Sequence, residues 1–239
     1  MLTKYLKPGR KIFIQPRVTP NEQNHIEKLS GHIRSCERDF VDLALPYNTA
    51  AGEHYPFTPE MPLNLTTEAY GMGVEVDGTF SEFRGPDLIR VHCLPDIRLY
   101  QRRVLPRIEV SIGLRYAKSK GQLRSLRSQW EKKLQILDRL DSSTPVTKFP
   151  YCPVNLSGGG IRLNFREETE IADLCLLLME LAPQQPPICT LAEIVWLRPT
   201  KPGWQTAGLR FTHIREKDQR RINRFVEQAR RDQPQENTL

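Results

Sequence analysis

Hydrophobic and polar residues alternate with a period of two along much of this chain, the mark of strands that bury one face. Lys11–Val18 alternates in this way, and so does Phe40–Leu45, which Pro46 closes. Gly73–Gly78 and Leu88–Cys93 are further strands of the same half, while Tyr47–Pro62, rich in Pro, Gly, Ala and Thr, reads as a loop. A second series begins at Ile108–Ile112 and continues through Tyr151–Leu156, Gly159–Phe165, Ile188–Leu197 and Thr206–His213. Ile171–Leu181 is so apolar that periodicity cannot separate a buried strand from a helix.

Two segments follow the helical period instead. Within Gly121–Leu140 the residues Leu123, Leu126, Trp130, Leu134 and Leu137 recur every three or four positions amid Lys, Arg, Gln and Glu. This stripe either packs on its own domain or, being narrow and coiled-coil-like, joins a second copy of the chain. Arg215–Arg231 places Ile222, Phe225, Val226 and Ala229 on one face and its arginines on the other, where solvation is the ordinary role. Between the two strand series lies Pro95–Arg107, a polar, arginine-rich connector.

Composition narrows the class. A chain of 239 residues holds one large domain or two small ones, and its 19 prolines argue against a helical bundle. No apolar run approaches the roughly 18 residues of a membrane span, and Met1–Arg10 lacks the apolar core of a secretory signal. A cytoplasmic chain, not embedded in a membrane, is expected. Cys36, Cys93, Cys152, Cys175 and Cys189 are odd in number, form no Cys-x-x-Cys pair and share no zinc-ligand spacing with histidine. They read as free thiols, with no metal and no cofactor. The formal charge of +7 makes an anionic partner plausible without naming it. More telling is a local excess, with Arg98, Arg102, Arg103 and Arg107 close together.

Two short patterns carry candidate binding chemistry. Arg103-x-x-x-Arg107 has a spacing that recurs at Arg34/Arg38, Arg98/Arg102, Arg162/Arg166 and Arg220/Arg224, so it means nothing alone. Its place at the end of a connector, directly before a strand, sets it apart. Asn155-x-Ser157-x-x-Gly160 follows a strand, and its three consecutive glycines let the backbone turn with positive φ and let a flat ligand come close. Asn offers donors and an acceptor and Ser a hydroxyl, which together can read the edge of a base; an ordinary hairpin turn is the other reading. Ser157 is not a nucleophile elbow, since Asn155 stands where glycine would be required, and the glycines lack the Gly-Lys-Ser/Thr of a phosphate loop. Nothing positive points to an enzyme.

Taken in order, these segments resemble a known family. Gln101 to Arg107, a strand, Asn155 to Leu163, and the ending Ala207 to Ile222 are similar to a PilZ domain. In that family a Gly-x-x-Phe strand, here Gly208 to Phe211, leads into a closing helix with Asp-x-x-x-Ile spacing, here Asp218 to Ile222. Ala192–Leu197 is similar to the preceding strand. The resemblance covers Gln101 to about Arg231. The first hundred residues are similar in outline to the β-rich N-terminal domain of flagellar-brake-type PilZ proteins, from Leu6–Gly9 to a junction ending in Gln101–Arg103.

The resemblance implies a mainly β protein of two β-barrel domains that binds cyclic di-GMP and is not an enzyme. Domain 1–97 and a linker 98–107 would precede a PilZ domain 108–239. The latter would be a six-stranded antiparallel barrel with a helical insertion at about 120–140 and a closing helix at about 215–231. Family roles transfer to Arg103 and Arg107 and to Asn155, Ser157 and Gly160; Arg102 joins them by adjacency. About 47 residues separate Arg107 from Asn155, more than the family needs, and the inserted helix accounts for the excess. A downstream protein partner is implied, and neither DNA nor RNA is expected. Two alternatives stay open: a PilZ scaffold that binds no nucleotide, and a general nucleic-acid binder with steep salt dependence.

Overall fold

The computed structural model describes residues 2–17, 25–47, 55–101, 105–119, 123–139, 149–166, 168–183 and 185–232. The chain divides into two compact units, Met1–Val104 with Lys120–Ser125, and Leu105–Ser119 with Leu126–Leu239.

The first unit opens with a short helix, α1 (Leu2–Tyr5). Its strands are β1 (Lys11–Pro16), β2 (His25–Glu27), β3 (Leu29–Glu37), β4 (Phe40–Ala44), β5 (Pro62–Ala69), β6 (Met72–Phe83) and β7 (Leu88–Tyr100). Six of them form a closed antiparallel barrel in the order β1-β3-β4-β7-β6-β5, completed where β1 pairs β5. Alternate positions such as Ile12, Ile14, Val41, Leu43, Val74 and Val76 are fully buried. Each such side chain contributes about 1.5–3 kcal/mol of burial free energy.

Polar residues at buried positions hid β3 and β5 from the hydrophobic pattern. In β3 a Cβ on Gly31 would fall 2.9 Å from the Ala44 carbonyl oxygen, so glycine lets the two strands approach. The Ser30 amide donates to the Tyr47 hydroxyl at 2.8 Å. In β5 the Asn64 amide donates to Glu75 and Asp77 at 2.7 and 2.9 Å, and Thr67 donates to the Lys11 carbonyl at 2.6 Å. With partners in place, these groups are buried at little cost.

The expected connector begins later than the sequence suggested. β7 continues to Tyr100, pairing Ile97 with Val76 and Arg98 with Glu75. The Arg98 guanidinium donates to Glu75 at 3.0 Å and to Asp77 at 2.7 Å. Two carboxylates on the neighbouring strand thus recruit Arg98 into the first barrel, so the expected linker 98–107 loses its first three residues.

A second ion pair in this barrel gives a pH test. Arg90 grips Asp42 with Nε at 2.7 Å and Nη2 at 2.8 Å, and Ser35 donates to the same carboxylate at 2.8 Å. The hydrogen bond from Arg90, with that from Ser35, outweighs burial and holds the Asp42 carboxyl below its ordinary 3.8. A carboxyl depressed in the folded state contributes stability above its unfolded value and loses it as pH falls through the folded one. Arg90→Ala is expected to cost about 1–3 kcal/mol at neutral pH. In urea titrations the difference from wild type should narrow as pH falls below the ordinary 3.8 and through the lowered value.

The second unit contains β8 (Ile108–Ser119), α2 (Leu123–Arg139), β9 (Tyr151–Ser157), β10 (Gly160–Phe165), β11 (Leu174–Glu180), β12 (Ile188–Lys201), β13 (Trp204–Arg215) and α3 (Glu216–Asp232). Its six strands form a closed antiparallel barrel in the order β10-β9-β8-β11-β12-β13, with β10 against β13 as the closing seam. The architecture is therefore mainly β, two six-stranded barrels with an inserted helix and a closing helix, as expected.

The ambiguous run resolves as strand β11, and its helix-like composition has a physical cause. Cys175, Leu177 and Met179 are fully buried along one face of the strand. On the other face Leu176 joins Trp130 and Leu134 of α2 and Cys189 of β12 in one cluster, with Leu137 and Leu178 against it. A strand covered on both faces has no polar face to show. In the same cluster Trp130 and Leu134 of the α2 stripe pack on the helix's own barrel, the first of the two readings that the stripe left open.

Burial pushes the Cys93 and Cys189 thiols up to about 12, which leaves them protonated and unreactive at neutral pH. All five cysteines are free. Among the described residues no helix is long and apolar enough to cross a membrane, and no cluster of His, Cys, Asp and Glu is arranged to hold a metal ion.

Candidate functional site

The Asn155–Gly160 motif forms the β9–β10 hairpin of the second barrel. Ser157 pairs with Gly160, so Gly158 and Gly159 make a two-residue turn, and Asn155 pairs with Arg162 two positions back. On the other side of β9, Asn155 lies opposite Glu109 of β8. The three side chains form a row across adjacent strands. The Asn155 amide donates to Glu109 Oε1 at 2.9 Å, and the Arg162 guanidinium donates to the same oxygen. Glu109 and Arg162 are exposed and Asn155 is partly so, which leaves the row open to a ligand.

Ser157 sits differently. It is 4% exposed, and its hydroxyl donates to the Gly160 carbonyl at 3.2 Å across the turn. Among the described residues nothing donates to this hydroxyl, so its lone pairs can accept.

The glycines serve close approach rather than a left-handed turn. None of Gly158, Gly159 and Gly160 has positive φ, contrary to the expectation drawn from their run. A Cβ on Gly158 would fall 1.9 Å from Asn223 Oδ1 of α3, and Gln219 of the same helix donates to the Gly158 carbonyl at 2.8 Å. The Gly159 carbonyl accepts from the Phe211 amide at 3.1 Å. A Cβ on Gly160 would fall 2.2 Å from the Leu209 carbonyl oxygen. The turn is thus clasped by α3 on one side and β13 on the other.

Arg107 is exposed and immediately precedes β8. Among the described residues it has no hydrogen-bond or ion-pair partner, so its planar fork of donors is free for an anion or a base edge. Arg102 and Arg103 lie outside the described residues.

The PilZ domain family model matches residues 99–228, more than half of the chain. This chain belongs to the PilZ family. The PilZ domain is a binding module and not an enzyme. Among solved structures, similar ones include the inhibitor of motility MotI/DgrA of Bacillus subtilis, at 12% identity and a TM-score of 0.38, covering 96% of this chain and 100% of that one. YcgR from Escherichia coli, in complex with c-di-GMP, is 13% identical with a TM-score of 0.33 and covers 97% and 88%. MrkH of K. pneumonia in its apo state is 12% identical with a TM-score of 0.40 and covers 97% and 94%. No curated protein matches the chain in sequence.

Within the PilZ domain, the later motif positions build the scaffold of the hairpin. Gly208 of β13 makes room for the Trp196 indole, whose Nε1 lies 2.0 Å from where a Cβ would stand, and Phe211 is buried. Asp218 and Ile222, one turn apart in α3, are both buried. Asp218 accepts from Arg215 Nε at 2.8 Å and from Arg221 at 3.0 Å, and Arg215 reaches on to Asp138 of α2 at 2.6 Å. Burial opposes the charge on Asp138, but the Arg215 hydrogen bond and charge prevail and lower its pKa. This network anchors the closing helix that clasps Gly158.

Two residues of the row escaped the sequence reading. Arg162 was legible in principle, because a two-residue turn at Gly158–Gly159 makes positions 155 and 162 cross-strand partners. Glu109 was not, because the register of β8 on β9 is set through a connection that includes α2, and no local turn fixes it.

Proposed function

We propose that this chain is a receptor for cyclic di-GMP, bound by Arg102, Arg103 and Arg107 from the segment before β8 and by Asn155, Ser157 and Gly160 from the β9–β10 hairpin. The observation that carries this reading is the family match over residues 99–228, which includes both halves of the motif. Arg107, exposed and unpartnered among the described residues, and the open row at Asn155 support it.

The chemistry is complementary. Cyclic di-GMP presents two phosphates and two guanines, and guanine O6 and N7 accept from the two-pronged guanidinium. Arginine planes also stack on purine faces. Gly160, packed against Leu209, contributes by holding the hairpin close to β13, and a bulkier residue there would displace the turn. In this reading the arginine, asparagine and serine side chains and the hairpin backbone at Gly160 hold the ligand, without a metal or cofactor. We propose further that joining the arginine segment to the hairpin changes the arrangement of the two units. The altered surface then meets a downstream protein partner of motility, adhesion or secretion machinery.

Competition and salt dependence test this reading. GTP and the linear dinucleotide should fail to displace cyclic di-GMP, and affinity should fall only shallowly with salt. Arg107→Ala should weaken binding about tenfold to a hundredfold, the value of one or two charge-assisted hydrogen bonds. Steep salt dependence with little selectivity among bases would identify a nucleic-acid binder instead.

A further inference from the structure

We propose that Glu109 is a positioning residue that fixes which end of the Asn155 amide faces the ligand, and so helps to select guanine. This rests on the reading of the chain as a cyclic di-GMP receptor. An asparagine amide has two unlike ends, an NH2 that donates and a carbonyl that accepts, and rotation by half a turn exchanges them. A carboxylate such as that of Glu109 only accepts. It therefore takes the NH2 end, and the Asn155 Nδ2 to Glu109 Oε1 distance of 2.9 Å records that choice. Arg162 donates to the same oxygen, which holds the carboxylate in place and offsets its charge toward an anionic ligand.

With Nδ2 engaged, the acceptor Oδ1 is left over, and among the described residues nothing donates to it. Guanine offers two adjacent donors, N1 and N2, along its Watson–Crick edge, whereas adenine offers one donor, N6, beside an acceptor at N1. An outward carbonyl can accept from both guanine donors, whereas adenine can meet it only through N6 and sets its N1 lone pair beside the same oxygen. A site whose polar group is left unmatched by the wrong ligand discriminates strongly. Without Glu109 both amide orientations are open, and part of that discrimination is lost.

Calorimetry on the full chain with cyclic di-GMP and cyclic di-AMP tests this, using wild type, Glu109→Ala, Asn155→Asp and the double variant Glu109→Gln with Asn155→Asp. Glu109→Ala should bind cyclic di-GMP about tenfold more weakly and prefer it less over cyclic di-AMP. Asn155→Asp sets two carboxylates in contact and should also lose about tenfold or more. The double variant should return to within about threefold of wild type. In it the amide introduced on β8 donates to the carboxylate introduced on β9, and an acceptor again faces outward. A double variant no better than Asn155→Asp, or an undiminished Glu109→Ala, would overturn the proposal. Absence of binding by wild type would instead remove the receptor reading beneath it. The side-chain amide resonance of Asn155, recorded without ligand, gives an answer independent of affinity: it should move in Glu109→Ala, and an unmoved resonance overturns the orientation.

Discussion

Gly160→Ala is expected to destabilise the second barrel by about 3 kcal/mol or more, a larger effect than the loss of one ligand contact. The added Cβ would stand 2.2 Å from the Leu209 carbonyl oxygen and 3.2 Å from the Arg210 Cα. Both are backbone atoms of β13, so no side chain can swing aside. Gly160 opens the β10–β13 ladder that closes the barrel, pairing with Arg210 at its first position. Relief therefore requires the seam to part. Gly159→Ala is the matched control: its nearest neighbour is the Leu105 Cδ1 at 3.4 Å, an ordinary contact, and its cost should stay within about 1 kcal/mol. All three tryptophans, Trp130, Trp196 and Trp204, belong to the second unit, so their fluorescence follows this barrel selectively. The expected fall in its thermal midpoint is roughly 6–12 °C for Gly160→Ala. A midpoint as little changed as that of Gly159→Ala would show that the seam tolerates a side chain.

Trp130→Ala should cost about 3–5 kcal/mol, the usual range for removing a large buried aromatic. Trp130 is fully buried, packed with Leu134 and Leu176, and set edge-on to His213 at 5.5 Å between centroids. Its indole Nε1 donates to the Cys189 carbonyl at 3.1 Å, so α2 is tied to β12 by a hydrogen bond as well as by packing. Trp130→Phe keeps most of the ring and removes the donor, and should lose about 1–3 kcal/mol. The loss is intramolecular in this account, and the unfolding midpoint of each variant should be independent of protein concentration. A midpoint that rises with concentration in wild type and not in Trp130→Ala would assign the stripe to a second copy of the chain instead.

How much the sequence disclosed depended on whether each element shows a polar face. Strands with one solvated face, such as β1 and β10, were legible from alternation alone. β3 and β5 were not, because Gly31, Asn64 and Thr67 occupy buried positions where apolar residues would have carried the period. β11 was legible only as apolar, because α2 covers its outer face. The span of α2 was readable from its stripe, but the choice between its own barrel and a second copy needed the facing residues of β11 and β12. Among site residues, the hairpin at Asn155–Gly160 was visible as a turn, yet its glycines were assigned the wrong physical task. Glycine in a sequence signals freedom of φ and closeness of approach alike; here the neighbours Asn223 and Leu209, distant in the chain, decide for closeness.

The most direct test of the account is calorimetric titration of the full wild-type chain with cyclic di-GMP. A handful of charge-assisted hydrogen bonds, less the cost of association, predicts saturable binding on the order of micromolar. The same titration should show that binding largely lost in Arg103→Ala. A folded wild-type protein that gives no saturable heat up to about 1 mM ligand, some thousandfold above the predicted constant, would contradict the assignment.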